Sequence, residues 1–229
     1  MISVLIVHYN RPDLLNDCLL SLREAEDVVV VDNGSLKPSE QETFIANFPH
    51  VQWLFLDENL GFSAGVNHAA RLAKGDNFLL LNPDTRWAGH RFNELEAVFS
   101  QHDAGILGLR QVSADGILQL SVGWEPTVTA EAFRKILQDS LDAGASWANK
   151  ALDYVQSGSK SVSWVAGSAL LTSRALFESL SGFDERYFLY FEDIDYCLRA
   201  RKQGVMAAYL DGFETLHHRG ACALTNASF

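Results

Sequence analysis

Short apolar segments alternate with helical patterns through the first third of the sequence, and this alternation constrains the fold more than any other feature. Residues 12–23 begin with a proline in the first helical turn, and residues 62–73 repeat apolar side chains at helical spacing before Gly75, the predicted helix end. Strands that alternate with helices are typical of βαβ units. The sequence therefore predicts an α/β fold with a mostly parallel central sheet. Its first four strands are predicted at residues 2–7, 28–31, 51–56 and 78–81.

Three of these predicted strands end in polar residues. The sequence His8-Tyr9-Asn10 follows the first strand, residues 32–35 follow the second and residues 82–85 follow the fourth. In open parallel sheets, ligands bind outside the carboxyl ends of the strands. We therefore expect the three polar clusters to form one ligand site.

The regular alternation stops near residue 86. A chain of 229 residues is long enough for one domain with a sizeable core, so we predict a single domain with halves at 1–86 and 87–229. The rest of residues 124–160, outside one helix, has no clear pattern. The elements predicted for the second half are a helix at 90–100, a hairpin of 106–111 and 117–121 around a turn at 114–116, an amphipathic helix at 130–141, a strand at 161–171, a short helix capped by Ser173, a helix at 192–202 closed by Gly204, and a strand at 205–210.

The charge balance limits the partners. The chain carries 29 acidic and 18 basic residues, a formal net charge of −11. This excess repels phosphate backbones, so we expect no nucleic-acid partner. An acidic protein that binds a diphosphate needs local compensation from a metal cation or from helix N-termini. Carboxylates that could hold such a cation are therefore the first candidates for the binding site.

The cysteines and the hydropathy indicate a cytoplasmic protein. Cys18, Cys197 and Cys222 have no zinc or redox spacing and are expected to be reduced thiols. No apolar stretch approaches the roughly 20 residues that cross a membrane, and the N-terminal segment lacks the features of a secretion signal. A peripheral association with the inner face of the cell membrane remains open.

Two aspartates follow buried strands and are candidates for ligand binding. Asp32 can accept hydrogen bonds from a nucleobase imide or a ribose hydroxyl; alternatively, it forms an Asx turn after its strand. Asp84 follows Asn82-Pro83 and can bind Mg²⁺ or Mn²⁺, which are often held by one or two carboxylates together with substrate phosphates. The alternative for Asp84 is a simple turn.

Two glycines four residues apart open the helix that carries Asn67. Small residues at Gly61 and Gly65 let a ligand approach the positive end of a helix. Neither a P-loop nor a G-x-G-x-x-G motif is present. Gly65 is equally consistent with a packing contact between helix and sheet.

An aromatic run next to carboxylates begins the predicted helix at 192–202. Glu192 and Asp193 lie at its start, and Asp195 is spaced to pair with Arg199. An apolar surround raises the basicity of a carboxylate, which suits a general base. Complementarity to the helix dipole is the alternative explanation for these acids.

Near the chain end, His217 and His218 follow the last predicted strand. Adjacent side chains point in different directions, so at most one of them is expected to share a metal with Asp84. A surface role is the alternative for both.

Together, these motifs resemble the inverting glycosyltransferase family 2, with its Rossmann-like GT-A fold, and within it the bacterial rhamnosyltransferase-like members. The resemblance extends from residue 2 to about residue 221. It rests on the motifs His8-Tyr9-Asn10, Asp32-Asn33-Gly34-Ser35, Asn59-x-Gly61-Phe62-x-x-Gly65-x-Asn67, Asn82-Pro83-Asp84, Trp164-x-x-Gly167-x-Ala169 and Gly182-Phe183-Asp184-Glu185 leading to Phe191-Glu192-Asp193-x-Asp195.

The resemblance implies a role for each matching residue. Residues 1–86 would bind the nucleotide and residues 87–229 the acceptor. Asp193 would be the general base, with Glu192 orienting the acceptor. The metal motif departs from the family's Asp-x-Asp pattern, because Asn82 takes the first position. The other implied roles are nucleotide binding by Tyr9, Asn10, Asp32, Gly61, Phe62, Asn67, Asn82 and Asp84, binding of a divalent metal (Mg or Mn) by Asp84 and His217, and an acceptor side shaped by Trp164 and Gly167.

The resemblance implies transfer of a sugar from a nucleotide-diphosphate donor to a hydroxyl group. Rhamnose from dTDP-rhamnose, or another dTDP- or UDP-sugar, is the expected donor, and the acceptor is a bacterial cell-surface glycan or lipid-linked glycan. A non-catalytic nucleotide-sugar-binding module is the alternative. A sugar-nucleotide pyrophosphorylase fits poorly, because the N-terminal region lacks its glycine- and lysine-rich triphosphate loop.

Overall fold

The computed structural model describes residues 1–113, 115–156 and 160–218. Parts of the predictions above lie outside these described residues: Ala114 of the predicted turn, residues 157–159 of the unassigned segment, the end of the family resemblance at 219–221, and Cys222.

The four apolar segments of the N-terminal half form strands, as predicted. The elements are β1 (Ile2–His8), α1 (Pro12–Ser21), β2 (Asp27–Asp32), α2 (Pro38–Asn47), β3 (Val51–Phe55), α3 (Phe62–Leu72) and β4 (Asn77–Leu81). Helix α2 is not predicted, because it buries one side chain, that of Phe44, and so has little periodicity. The prediction that Gly75 ends α3 is wrong: Ala73 is the C-cap, and Gly75 lies against the backbone of Met1 and Ser3.

The second half adds further strands and helices. These are β5 (Thr85–Trp87), α4 (Phe92–Gln101), β6 (Ile106–Val112), β7 (Val122–Gly123), α5 (Val128–Asp142), α6 (Ser146–Val155), β8 (Lys160–Val162), β9 (Trp164–Val165), β10 (Ala169–Ser173), α7 (Arg174–Ser179), α8 (Glu192–Lys202) and β11 (Ala207–His217). Ser173 caps α7 by accepting a hydrogen bond from the Leu176 N–H, as predicted. Gly204 follows α8 with a φ of +80°, which suits its predicted role in closing that helix.

One large sheet joins the two halves. Its strand order is β3-β2-β1-β4-β10-β6-β11-β5, with β8 added beside β11. Strands β1 to β4 are parallel, β10 is antiparallel to both β4 and β6, and β11 is parallel to β6. Within the described residues, β1 to β4, β6 and β11 therefore point the same way and the remaining strands of the sheet point the other way. The predicted α/β class with a mostly parallel sheet is confirmed.

Helices cover both faces of this sheet. Ile2, Val4 and Ile6 of β1 pack on the side of α1, whereas Leu5 and Val7 pack on the side of α3. A strand buried on both faces has apolar residues on both of them, which explains the nearly continuous apolar run Val4 to Val7 of β1. Within the described residues, no helix combines the length and apolar character needed to cross a membrane.

The continuous strand predicted at 161–171 is wrong. The segment forms β8, β9 and β10, which pair with β11, β7 and the central sheet respectively. Residues between β9 and β10 leave the ladder, and the Gly167 N–H donates to the Asp193 carboxylate instead of to a neighbouring strand. Apolar runs do not reveal such a change of partner.

The predicted hairpin and the unassigned segment also differ from expectation. The second arm of the hairpin is reduced to one bridge, between Val112 and Leu118, because β6 lies between β10 and β11. Helices α5 and α6 then form a separate small cluster. Its buried members are Val112, Leu118, Leu137, Leu141, Ala148 and Leu152.

Candidate active site

A cavity of about 440 Å³ opens at the carboxyl ends of the parallel strands. Tyr9 follows β1, Asn33 follows β2, and Asn82 and Asp84 follow β4, so three polar clusters do meet at one site, as predicted. The remaining walls are the start of α3, the connection between β9 and β10, the start of α8 and the end of β11. They contribute Asn59, Gly61, Phe62, Ala166, Gly167, Ser168, Phe188, Leu189, Tyr190, Glu192, Asp193 and His217.

Asp84 and His217 face each other on one side of this cavity. Strand β5 pairs with β11 beside them, and the His218 N–H donates to the Asp84 carbonyl oxygen at 2.9 Å. Asp84 Oδ1 lies 3.4 Å from His217 Nε2. The Asp84 side chain is 3% exposed, and its Oδ1 has no hydrogen-bond partner within the described residues.

This pair fits a divalent cation. Three carboxylates, those of Asp84, Glu192 and Asp193, line the cavity, and no Lys or Arg is among the described residues that line it. A diphosphate entering this acidic space needs a compensating cation. Within the described part of the chain, no group of three or more His, Cys, Asp or Glu side chains converges on a metal position. Two protein ligands completed by phosphates and water are a common arrangement for Mg²⁺.

Glu192 and Asp193, at the start of α8, line another part of the same cavity. Asp193 Oδ2 accepts from the Gly167 N–H at 2.9 Å, and its Oδ1 accepts from the Ile194 N–H at 2.8 Å. Burial raises the pKa of Asp193 and outweighs these hydrogen bonds. A more basic carboxylate is better suited to removing a proton from a hydroxyl group.

The Glu192 carboxylate has fewer hydrogen-bond partners than that of Asp193 within the described residues. It is 5% exposed, and its Oε2 has no hydrogen-bond partner within the described residues. Burial, with a smaller contribution from the Asp193 charge, raises the pKa of Glu192 to about 7. Its protonation state therefore changes near neutral pH.

We expect Glu192→Gln to stabilise the protein relative to wild type at high pH only. The folded protein holds the Glu192 proton more tightly than the unfolded chain, because burial raises this pKa from 4.5 to about 7. The resulting stabilisation of the wild type is complete below about pH 4.5 and is lost as the pH rises through about 7. At about 1.4 kcal/mol for each unit of the difference between 4.5 and about 7, the loss is about 3.5 kcal/mol.

Urea denaturation of both proteins between about pH 4 and pH 8 measures this difference. Glu24→Gln, an exposed site between α1 and β2, is the matched control and should follow the wild-type curve. Parallel curves for wild type and Glu192→Gln would contradict the assignment.

An exposed aromatic segment, residues 187–191, forms the mouth of the cavity. Tyr190 and Phe191 have left-handed φ values of +69° and +70°, which residues other than glycine rarely adopt. They are 59% and 61% exposed. Backbone strain of this kind persists where the surroundings enforce it, often at functional sites.

Helix α3 fixes the other end of this segment. The Phe62 N–H donates to the Phe188 carbonyl at 2.7 Å, and the Ser63 hydroxyl donates to the Tyr187 carbonyl at 2.6 Å. Gly61 makes the approach possible: its φ is +88°, and a methyl group there would lie 2.6 Å from the Phe188 carbonyl oxygen. The glycine at 61 is therefore needed for both its conformation and its size.

We expect Gly61→Ala to destabilise the protein more than Gly89→Ala. Both glycines have a positive φ, but a methyl group at Gly89 would meet nothing within 4 Å. Gly89→Ala should cost only the left-handed penalty of about 1–2 kcal/mol, whereas the clash adds about 1–3 kcal/mol to Gly61→Ala. Chemical denaturation measures both, and equal losses would show that the contact with Phe188 is unimportant.

Asp32 does not reach the cavity wall. It is fully buried, and its carboxylate contacts His8 Nδ1 at 2.8 Å, the Ser35 hydroxyl and the Ser35 and Leu36 N–H groups. Burial raises the pKa of Asp32, but these hydrogen bonds outweigh it and lower the pKa overall. The structure therefore favours the turn-forming interpretation of Asp32. Asn10 is also outside the residues that line the cavity.

Asn67 and Trp164 likewise lie outside the cavity lining. Asn67 donates to the Phe183 carbonyl and to Glu185, and accepts from the Phe183 N–H, so it joins α3 to the segment before the aromatic run. The Trp164 ring packs directly on Gly123. A methyl group at Gly65 would lie 2.6 Å from Val7, which favours the packing interpretation of that glycine.

Several lining residues are not predicted from the sequence. Asn33 donates to Asn59 and to the Gly61 carbonyl, linking the end of β2 to the start of α3. Both asparagines belong to motifs already noted, so their position after a strand was an available signal. Ser168 carries no comparable signal, because the strand break brings it to the cavity. Residues 188–190 belong to the aromatic run noted from the sequence, but that run does not reveal the left-handed turn at Tyr190 and Phe191.

Comparison with known proteins identifies the class. The family model for glycosyl transferase family 2 matches residues 3–149, more than half of the chain. The chain therefore belongs to glycosyl transferase family 2, and its class is that of the glycosyltransferases.

Individual relatives and solved structures agree with this class. An N-acetylglucosaminyl-diphospho-decaprenol L-rhamnosyltransferase of Mycobacterium tuberculosis is 28% identical over 235 residues, which cover 96% of this chain and 76% of the relative. The low-salt glycan biosynthesis hexosyltransferase Agl10 of Haloferax volcanii is 24% identical, with 95% and 67% covered.

The fold matches two solved glycosyltransferases. GalNAc-T7, solved with UDP, GalNAc and Mn²⁺, has a TM-score of 0.68 at 15% identity, and 95% of this chain covers 43% of that one. A mannosyltransferase of Pyrobaculum calidifontis, solved with GDP-Man and Mn²⁺, has a TM-score of 0.64 at 18% identity, with 97% and 59% covered. The predicted GT-A fold is confirmed, and this chain spans about half the length of these two proteins.

Proposed function

We propose that this chain transfers a sugar from a nucleoside diphosphate to an acceptor hydroxyl with inversion at the anomeric carbon. The observation that carries the proposal is the cavity itself, which places the Asp84–His217 pair and the Glu192–Asp193 pair on walls of one space. The first pair suits a cation beside a diphosphate, and the second suits proton removal from a hydroxyl group.

The donor proposed is dTDP-rhamnose or another dTDP- or UDP-sugar. The acceptor proposed is a hydroxyl of a lipid-linked or cell-surface glycan. The mycobacterial relative, an N-acetylglucosaminyl-diphospho-decaprenol L-rhamnosyltransferase, supports rhamnose as the sugar and a lipid-linked glycan as the acceptor. The exposed aromatic segment 187–191 at the cavity mouth is a suitable platform for the apolar face of a sugar.

In the proposed mechanism, Asp193 removes the proton of the acceptor hydroxyl. As the acceptor oxygen forms its bond to the anomeric carbon, the bond from that carbon to the diphosphate oxygen breaks, and a nucleoside diphosphate leaves. The Gly167 and Ile194 N–H groups hold the Asp193 carboxylate in place for this step. Glu192, beside it, orients the acceptor.

The remaining residues bind and orient the donor. Tyr9, Asn33 and Asn59, which line the cavity, would contact the nucleotide, and Phe62 and Asp193 both lie beside Gly167. Asp84 and His217 would hold a divalent cation, which when bound stabilises negative charge on the leaving diphosphate.

A direct test incubates the protein with dTDP-rhamnose, UDP-sugars or GDP-mannose, Mn²⁺ and a polyprenyl-diphosphate-linked N-acetylglucosamine acceptor. Mass spectrometry should detect an acceptor enlarged by one sugar, and NMR should show inverted anomeric configuration. Retained configuration would exclude the single displacement. Donor binding without turnover on any acceptor would favour the alternative, a non-catalytic nucleotide-sugar-binding module.

A further inference from the structure

Gln119 contacts His217 at two points. The Gln119 Nε2 group donates to the His217 carbonyl oxygen at 2.8 Å, and Gln119 Oε1 lies 2.9 Å from His217 Nδ1. A carbonyl oxygen only accepts hydrogen bonds, so the amide nitrogen of Gln119 must face it. The amide oxygen therefore faces the imidazole ring, and because that oxygen also only accepts, the hydrogen of a neutral His217 must be on Nδ1.

The opposite ring nitrogen then carries a lone pair. His217 Nε2 is 3.4 Å from Asp84 Oδ1, which is buried and has no hydrogen-bond partner within the described residues. Two acceptors that face each other repel unless a cation lies between them. Two ligand atoms each about 2.1 Å from a divalent ion, at a right angle, are about 3 Å apart, which is close to the separation seen here.

Backbone hydrogen bonding anchors Gln119 beside His217. The Gln119 N–H donates to the Gln111 carbonyl at 2.9 Å, next to the bridge between Val112 and Leu118. Gln111 lies on β6, where it pairs with Thr215 of β11, two residues before His217. The amide of Gln119 and the imidazole of His217 are thus anchored to the same pair of strands.

We propose that Gln119 is a positioning residue that keeps His217 in its Nδ1–H tautomer and aims Nε2 at a divalent cation shared with Asp84. The proposal rests on the proposed function, because it assumes that the cavity takes a cation. Outer-shell partners of this kind fix the ring orientation of a ligating histidine, and their loss typically weakens metal binding by 10- to 100-fold.

The first test is NMR of metal-free, ¹⁵N-histidine-labelled protein at about pH 8. In the wild type, His217 should carry its hydrogen on Nδ1. Gln119→Leu removes the acceptor and should shift His217 toward the Nε2–H form. Gln119→Glu keeps an acceptor for Nδ1–H but loses the donor to the His217 carbonyl, so it should hold more of the Nδ1–H form than Gln119→Leu. A wild-type Nε2–H tautomer, a doubly protonated ring or an unchanged tautomer in Gln119→Leu would overturn the proposal.

The second test is Mn²⁺ binding in the presence of UDP or dTDP, followed by electron paramagnetic resonance. Gln119→Leu should weaken Mn²⁺ binding by about 10- to 100-fold, Gln119→Glu should bind Mn²⁺ more tightly than Gln119→Leu, and the exposed control Gln101→Leu should bind like the wild type. Wild-type binding with no loss in Gln119→Leu would overturn the role of Gln119 alone. Absence of Mn²⁺ binding in every protein would instead overturn the proposed metal-assisted function, and the inference with it.

Discussion

Replacing Asp193 by asparagine is expected to reduce sugar transfer by about 10²- to 10⁴-fold, the usual contribution of a general base. The amide cannot accept the proton of the acceptor hydroxyl, although its shape is nearly that of the carboxylate. Nucleotide affinity should stay within about twofold of the wild-type value, because Asp193 is not among the residues proposed to hold the nucleotide or the cation. Transfer rates and the Kd for the nucleotide measure the two quantities separately.

Asp195→Asn is the matched control for this variant. Asp195 lies on the same helix and forms a 2.7 Å ion pair with Arg199, as the sequence predicts. It does not line the cavity, so its variant should retain transfer activity. Near-normal turnover in Asp193→Asn, or an equal loss in both variants, would contradict the assignment of Asp193 as the base.

Replacing Asp84 by asparagine should weaken Mn²⁺-dependent nucleotide binding by more than about 100-fold. The expectation follows because loss of an outer-shell partner alone typically costs 10- to 100-fold, and Asp84 is proposed as a direct ligand. Removal of its charge also takes away one side of the electrostatic attraction for the cation. Calorimetric titration with and without Mn²⁺ measures the effect.

Asp103→Asn, an exposed site after α4, should bind the nucleotide like the wild type. Thermal unfolding of Asp84→Asn establishes that the variant is folded before its affinity is compared. A folded Asp84→Asn protein with unchanged Mn²⁺-dependent affinity would show that the cation, if bound, lies elsewhere.

The N-terminal half of the fold follows directly from local patterns. Strands buried on both faces, such as β1 and β4, contain runs of four apolar residues, and helices α1 and α3 have regular apolar spacing. Their carboxyl ends must then lie at one edge of a parallel sheet. The sequence pattern alone therefore predicts that Tyr9, Asn82 and Asp84 lie at one site.

The fold of the second half is predicted less accurately, because pairing between strands distant in sequence determines where its strands begin and end. Residues 161–171 are predicted as one strand despite Gly167-Ser168, yet they form three strands with three different partners. The break at Gly167 exists because its N–H bonds to Asp193, 26 residues further along the chain. No local pattern records such a contact.

The candidate site shows the same division. Glu192 and Asp193 could be singled out from an aromatic run beside carboxylates at a helix start, and the structure places both in the cavity. Asp32 and Asn67 matched motifs equally well but are held by hydrogen bonds within the protein. A sequence motif does not distinguish residues that line the cavity from residues that stabilise the fold through internal hydrogen bonds. The structure makes that distinction.

Binding of nucleoside diphosphates is the most direct test of the account. Wild-type protein would be titrated calorimetrically with dTDP, UDP and GDP, each with and without Mn²⁺. The account predicts that at least one of them, dTDP or UDP rather than GDP, binds tightly with Mn²⁺ and much more weakly without it. Binding of none of the three, or equal affinity with and without Mn²⁺, would contradict a nucleotide-sugar site built around Asp84 and His217.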